Sequence, residues 1–170
     1  MNVKWILTAV LCSSSLIAAA ASPPRPTAAE AERELTATYF HWFPEMATYY
    51  SVAPAVAGPG SNTRLSPRTQ ADEVAKRAAF KRVLERFGEV DVTGLSQSGQ
   101  VFHSALEATL RGSLAPAEVV EYGTVFSAWG MWFMPYAVSQ IGGPQDLVTK
   151  LLGSQQPVRN AAEAEDYLSR

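Results

Sequence analysis

Residues 66–88 read SPRTQADEVAKRAAFKRVLERFG, and this stretch decides the fold class. Ser66 followed by Pro67 is a helix start. The serine oxygen can cap the first free amides, and proline's fixed φ and missing N–H suit the first helical position. Gly88 is the matching stop. Between them Ala75, Ala79 and Val83 share one face beside Phe80, Leu84 and Phe87, at the three- and four-residue spacing of an amphipathic helix. Lys76, Arg77, Lys81, Arg82 and Arg86 cover the other face. Five cations could point to an anionic partner. A solvated outer face, with cations near a helix C-terminus, is the simpler account and is preferred here.

Working upstream, Val52 to Leu65 holds Pro54, Gly58, Pro59, Gly60, Ser61 and Asn62, a loop composition. Before it, Thr27-x-x-Glu30 has the form of a capping box. Ala31, Leu35, Tyr39 and Trp42 then recur at helical spacing, widened by Phe40 and Phe43, until Pro44 breaks or restarts the helix. Downstream, Asp91 to Leu95 is a link. Ser96 opens a further helix, with Phe102, Leu106 and Leu110 next to Val101 and Ala105, and Gly112 at its end. Pro116 begins another, carrying Val119, Tyr122, Phe126, Trp129 and Phe133 as an aromatic stripe. Ile141-Gly-Gly-Pro144 is a sharp turn. Asp146 to Leu152 is a short helix ending at Gly153, and Asn160 to Arg170 begins a last one, with Ala161, Ala164 and Leu168 on one side. No period-2 strand and no internal repeat is visible. The expected fold is all-α, a helical array joined by Pro/Gly turns.

Residues 1–21 read as an export signal. Lys4 supplies the positive start, Trp5 to Ile17 the apolar run, and Ala19-x-Ala21 the small residues before a cleavage point at Ser22. A periplasmic or secreted location is therefore expected. Cleavage would also remove Cys12, the one cysteine, so neither a disulfide framework nor a cysteine-rich zinc site is available. Ser22-Pro-Pro-Arg-Pro26 is an extended linker. The remaining length is enough to bury roughly two thirds of its unfolded surface.

Composition narrows the function classes. At 47% hydrophobic and 18% charged, the chain is too apolar for a disordered segment. A net charge of −2 leaves no basic excess for nucleic acid. Between Glu121 and Asp146 there is no charged residue. Gly123, Gly130, Pro135 and Ser139 interrupt that stretch, so an integral membrane span is not expected. Core, partner surface and ligand groove stay open as roles for Tyr122 to Tyr136.

The search for chemistry is empty. A helical zinc hydrolase places two histidines four residues apart with a glutamate between them, because three ligands must hold a metal that acidifies a water. His41 and His103 stand far apart, and each reads as a core or surface residue. Leu95-Ser-Gln-Ser-Gly99 lacks the first glycine of a nucleophile elbow and precedes a helix rather than following a strand. Gly58-Pro-Gly60 is not followed by the Gly-Lys-Ser/Thr of a phosphate loop. Glu30, Glu32 and Glu34 point in different directions on a helix. No catalytic, cofactor-binding or metal-ligating residue is assigned.

Four stretches taken in order supply a context. They are Tyr39-Phe-His-Trp-Phe-Pro-Glu-Met-Ala-Thr48; Leu65-Ser-Pro67 with the basic helix to Phe87, Val90-Asp91 and Leu95-Ser96; Met134-Pro-Tyr-Ala-Val-Ser-Gln-Ile-Gly-Gly-Pro144; and Gln156-Pro157 with Asn160-Ala-Ala-Glu-Ala-Glu-Asp-Tyr-Leu-Ser-Arg170. From Leu35 to Arg170 the chain resembles the N-terminal part of the bacterial family catalogued as domain of unknown function 885. That resemblance implies an exported, helical, zinc metallopeptidase-like hydrolase of peptide-like substrates, with a His-Glu-x-x-His helix far downstream. No residue here matches that helix, so no ligand or general base carries over. The expected organisation is a signal peptide over 1–21, a linker and helix start over 22–34, and a helical region over 35–170 truncated at its C-terminus. On this expectation the chain is inactive alone and holds no cofactor. Zinc belongs to the full-length family, and the partner is the missing C-terminal part of the same enzyme. The alternative is a self-contained exported helical module for binding or interaction.

Overall fold

The computed structural model describes residues 24–119 and 144–170. The expected signal peptide, the aromatic stretch Tyr122 to Tyr136 and most of the Ile141 to Pro144 turn lie outside the described residues. The chain is all-α, as the sequence leads one to expect. Its helices are α1 (Ala28–Trp42), α2 (Pro44–Tyr49), α3 (Pro54–Ala57), α4 (Gln70–Glu89), α5 (Gln97–Leu114), α6 (Pro116–Val119), α7 (Pro144–Lys150) and α8 (Ala161–Ser169).

Long helices pack in sequence order, α1 on α4 and α4 on α5. The capping box that starts α1 is present: Thr27 Oγ1 accepts from the Glu30 amide at 3.3 Å, and the Glu30 carboxylate accepts from the Thr27 amide at 2.8 Å. Pro44 ends α1 and restarts the chain as α2, sitting at that helix's first position. The restart drives α2 inward, so that Pro44, Glu45, Met46, Ala47 and Thr48 are all buried. Around it lie Phe40, Phe43, Phe80, Val83, Phe87, Leu110 and Leu114. Each large apolar side chain withdrawn here from water contributes about 1.5–3 kcal/mol.

Several expectations are corrected. Ser66-Pro67 does not open the basic helix. That helix, α4, begins three residues later, where Thr69 Oγ1 accepts from the Asp72 amide at 3.1 Å and Asp72 returns the bond to the Thr69 amide at 2.9 Å. A capping box outcompetes a lone serine, and Ser66 is engaged elsewhere. The Val52 to Leu65 loop contains the one-turn helix α3, because Pro54 presets its first position. Gly88 and Gly153 do not stop their helices. α4 runs one residue past Gly88, and Gly153 lies in a π turn over Leu151–Gln155, while Gly112 does lie in the last turn of α5. On α5 the buried face is rotated: His103, Leu110, Ser113 and Leu114 are inside, while Val101, Phe102 and Ala105 are exposed. On α8 the apolar residues Ala161 and Leu168 are exposed, and no residue is fully buried.

The largest correction is Lys76, which is not on a solvated face. It is 1% exposed, packed with Nζ 5.0 Å from the Phe43 ring centroid and 6.0 Å from that of Trp42. Its ammonium donates to Glu73 Oε1 at 2.7 Å. Burial pushes its pKa down, and the Glu73 carboxylate pulls it back up. Glu73 Oε2 is itself buried with no hydrogen-bond partner among the described residues. Such a pair is costly to break and not costly to replace. Lys76→Met alone should therefore cost about 2 kcal/mol in urea unfolding, by stranding Glu73. The double variant Glu73→Leu/Lys76→Met should recover that loss or exceed the parent. A double variant as weak as the single one would show that the pair, not its desolvation, dominates.

Candidate functional site

Two features meet at the loop between α3 and α4. The first is a polar clasp. Glu45 on α2 is 1% exposed yet fully engaged: the Ser66 amide donates to Oε1 at 2.9 Å, and the Ser66 hydroxyl donates to Oε2 at 2.5 Å. Arg68 Nη2 stands 3.8 Å from Oε1. This is why Ser66 does not cap a helix. Thr48, one turn on, donates to Asn62 Oδ1 at 3.1 Å. Gln156 Nε2 donates to the Asn62 carbonyl at 3.1 Å. Arg170 closes the set. Its Nη1 donates to Thr48 Oγ1 at 3.0 Å and Gln156 Oε1 at 2.8 Å, its Nε to the Arg64 carbonyl at 3.0 Å, and its Nη2 to the Ser61 carbonyl. Burial pushes the Arg170 guanidinium below its ordinary pKa, with Glu45 and Asp166 pulling the other way.

What this cluster can do chemically follows from its saturation. Both oxygens of Glu45 are occupied, and every nitrogen of the Arg170 fork donates. Glu45 is held by two donors and Arg170 by four acceptors, so both side chains are tied into the fold. The clasp is a fastener that joins α2, the 58–66 loop, the turn after α7 and the end of α8. It also gathers residues from three of the four stretches quoted above: Glu45 and Thr48, Ser66, then Gln156 and Arg170. The third stretch lies outside the described residues except for Pro144.

The second feature is a cleft of about 510 Å³ beside the clasp. One wall is the last turn of α1, with Trp42 and His41, whose rings meet edge to face at 5.1 Å and 86°. Another is Val56 to Pro59 with Arg64, and α4 supplies Ala79 and Arg82. Gly58 at φ +84° and Gly60 at φ +71° turn the loop through left-handed conformations, which side chains with a Cβ rarely adopt. That turn sets Val56 to Pro59 across from Trp42. The clasp then grips the same loop at Ser61, Asn62 and Arg64, so its position is set from behind.

His41 is exposed and His103 is 2% exposed, so the two histidines occupy different places in the fold. His103 Nε2 lies 3.1 Å from the Phe87 carbonyl, and its ring stacks on Phe87 at 4.8 Å. A carbonyl only accepts, so Nε2 carries the proton. His103 Nδ1 has no partner among the described residues. Among those residues no three of His, Cys, Asp and Glu come together in a way that could hold a metal ion. No helix of the described residues is long and apolar enough to cross a membrane.

Sequence reasoning did not single out Arg64, Arg82 or His41 as neighbours. From the sequence Arg82 belongs to a solvated face, Arg64 to a loop, and His41 to core or surface. The signal present was the Gly58-Pro-Gly60 turn, which forces the chain back on itself. No family model, curated protein or solved structure matches the chain.

Proposed function

We propose that this chain works as a helical binding module and that the cleft beside Trp42 is its ligand site. The carrying observation is that the clasp spends four hydrogen bonds on the backbone carbonyls and the side chain of the loop that forms one cleft wall. A loop held that firmly has little entropy left to lose when a ligand arrives, which is the economy of a preformed site. The cleft's volume also falls in the range of small-molecule sites. Export after cleavage before Ser22 belongs to the same reading. It rests on the Lys4, Trp5 to Ile17 and Ala19-x-Ala21 pattern.

A second reading draws on the clasp as well. If the chain is the N-terminal part of a metallopeptidase-like hydrolase, motifs that recur in order across a family would be expected to do structural work together. Three of the four stretches do meet. On that reading the helices wall a peptide-binding cleft, and the metal, the general base and the reaction come from another part of the enzyme.

The purified protein discriminates between the two. A binding module should be monodisperse, melt cooperatively and leave a peptide library uncut with or without added zinc. Aggregation with strong binding of hydrophobic dye would favour a part needing its remainder. Zinc-dependent cleavage at ordinary enzyme rates would overturn both readings.

A further inference from the structure

The cleft's chemistry narrows its ligand. Its lining carries two arginines, Arg64 and Arg82, and one histidine, and not one acidic residue, in a protein whose acids outnumber its bases by 16 to 14. Among the described residues neither arginine stands within 4 Å of a carboxylate, a condition they share with Arg25, Arg33 and Arg170. Arg64 is not loose: its Nε donates to the Gly60 carbonyl at 3.3 Å, which lays the side chain along the loop. The same lining carries Trp42, Val56, Ala57 and Pro59. Arginines lacking carboxylates, in one cleft with aromatic and aliphatic groups, match a ligand that is charged at one end and greasy at the other.

We propose that the cleft binds a small organic anion, a carboxylate carried on an apolar, ring-sized body. The body stacks on Trp42 and displaces water from Val56 and Pro59, while the carboxylate takes the fork of Arg82 with Arg64 beside it. Paired donation from a planar fork gives direction as well as attraction, so a neutral analogue of the same shape loses its orienting contact. The proposal rests on the reading of the cleft as a ligand site, and three simple probes separate the two.

Phenylacetate, 2-phenylethanol and inorganic phosphate would be titrated against the purified protein by calorimetry. The indole N–H resonance of Trp42, assigned from a Trp42→Phe variant, reports where each probe binds. Phenylacetate should bind with a Kd on the order of 1 mM or tighter, the range a ligand of that size reaches, and should shift the Trp42 resonance. 2-Phenylethanol has the same body without the charge and should bind at least about tenfold more weakly. Inorganic phosphate, which is charge without a body, should do the same. Arg82→Gln, at an exposed position on α4 that leaves the core untouched, should weaken phenylacetate by about tenfold without changing the melting temperature.

If 2-phenylethanol binds as tightly as phenylacetate and Arg82→Gln changes nothing, the anion assignment falls and the ligand-cleft reading stands. If phosphate equals phenylacetate, the apolar body is wrong and the cleft is a plain oxyanion site. If none of the three shifts the Trp42 resonance, the assignment and the reading fall together.

Discussion

Phe80→Ala should lower the free energy of unfolding by about 3–5 kcal/mol, more than any other single truncation in the core. Phe80 is 0% exposed and sits where α4 packs on α1, in one core cluster with Phe43 and Met46. Its ring centroid is 6.5 Å from that of Phe43, inclined at 32°. Phe43 is itself 5.2 Å from Tyr39, so the three rings form one chain of contacts from helix to helix. Removing the middle of α4's buried face leaves a hole that its neighbours cannot fill. Phe43 is pinned by the turn into α2, and Val83 and Phe87 by their own places on α4. The loss combines the lost transfer of the ring from water with the cavity left behind. For a domain of this size it should appear as a fall of about 10 °C in melting temperature. Phe80→Leu, which keeps most of the volume, should recover more than half of it. A Phe80→Ala protein that melts within a degree or two of the parent would mean that α1 and α4 do not share a core.

The reach of sequence reasoning is visible in that same helix. The spacing of Phe80, Val83 and Phe87 marks the buried face because burial of large apolar side chains outweighs every other local preference. The capping box at Thr27 is equally legible, since the four residues from Thr27 to Glu30 contain the whole device. The misplaced elements failed for a different reason. Ser66 is a good helix cap in isolation, but a buried carboxylate 21 positions away claims its hydroxyl and its amide. No local pattern carries that information. Lys76 reads as solvent-facing because lysine almost always is. It lies inside because Glu73, one turn earlier on the same helix, supplies its partner, and two aromatic rings supply a polarisable wall that exists only once α1 has docked. On α5 a histidine displaces Phe102 from the inner face, because His103 stacks on Phe87 and satisfies its carbonyl. The cleft leaves one trace in the sequence, the Gly58-Pro-Gly60 turn. Its arginines come from a loop and from the outer side of α4, and only the left-handed turn at Gly58 and Gly60 sets them on one cavity.

Arg170→Ala should release α8 from the body of the protein and lower stability by about 3 kcal/mol. The argument begins from what α8 lacks. It is a nine-residue helix with no fully buried residue, and Leu168 is 77% exposed. Helices that short do not persist on their own in water. Its own cap, Asn160 Oδ1 accepting from the Glu163 amide at 3.0 Å, starts the helix but does not dock it. Docking falls to the Arg170 side chain, which reaches back to Thr48, Ser61, Arg64 and Gln156. Losing a charged donor strands the Gln156 and Thr48 oxygens and two loop carbonyls, at about 1 kcal/mol for each bond that water does not replace. Arg170→Lys should restore little, because one ammonium cannot span four acceptors that a planar fork reaches at once. Hydrogen exchange gives the sharpest readout. In the alanine variant the amides of residues 161–169 should exchange at near-unfolded rates, and those of residues 58–66 should speed up with them, while α4 stays protected. The coupling to the loop is the part that matters for the cleft, since the wall carrying Val56 and Arg64 would lose its backing. Phenylacetate affinity should then fall in Arg170→Ala even though Arg170 does not line the cleft. Loss of protection in α8 without any change in residues 58–66 would show that the clasp holds the helix but does not set the wall.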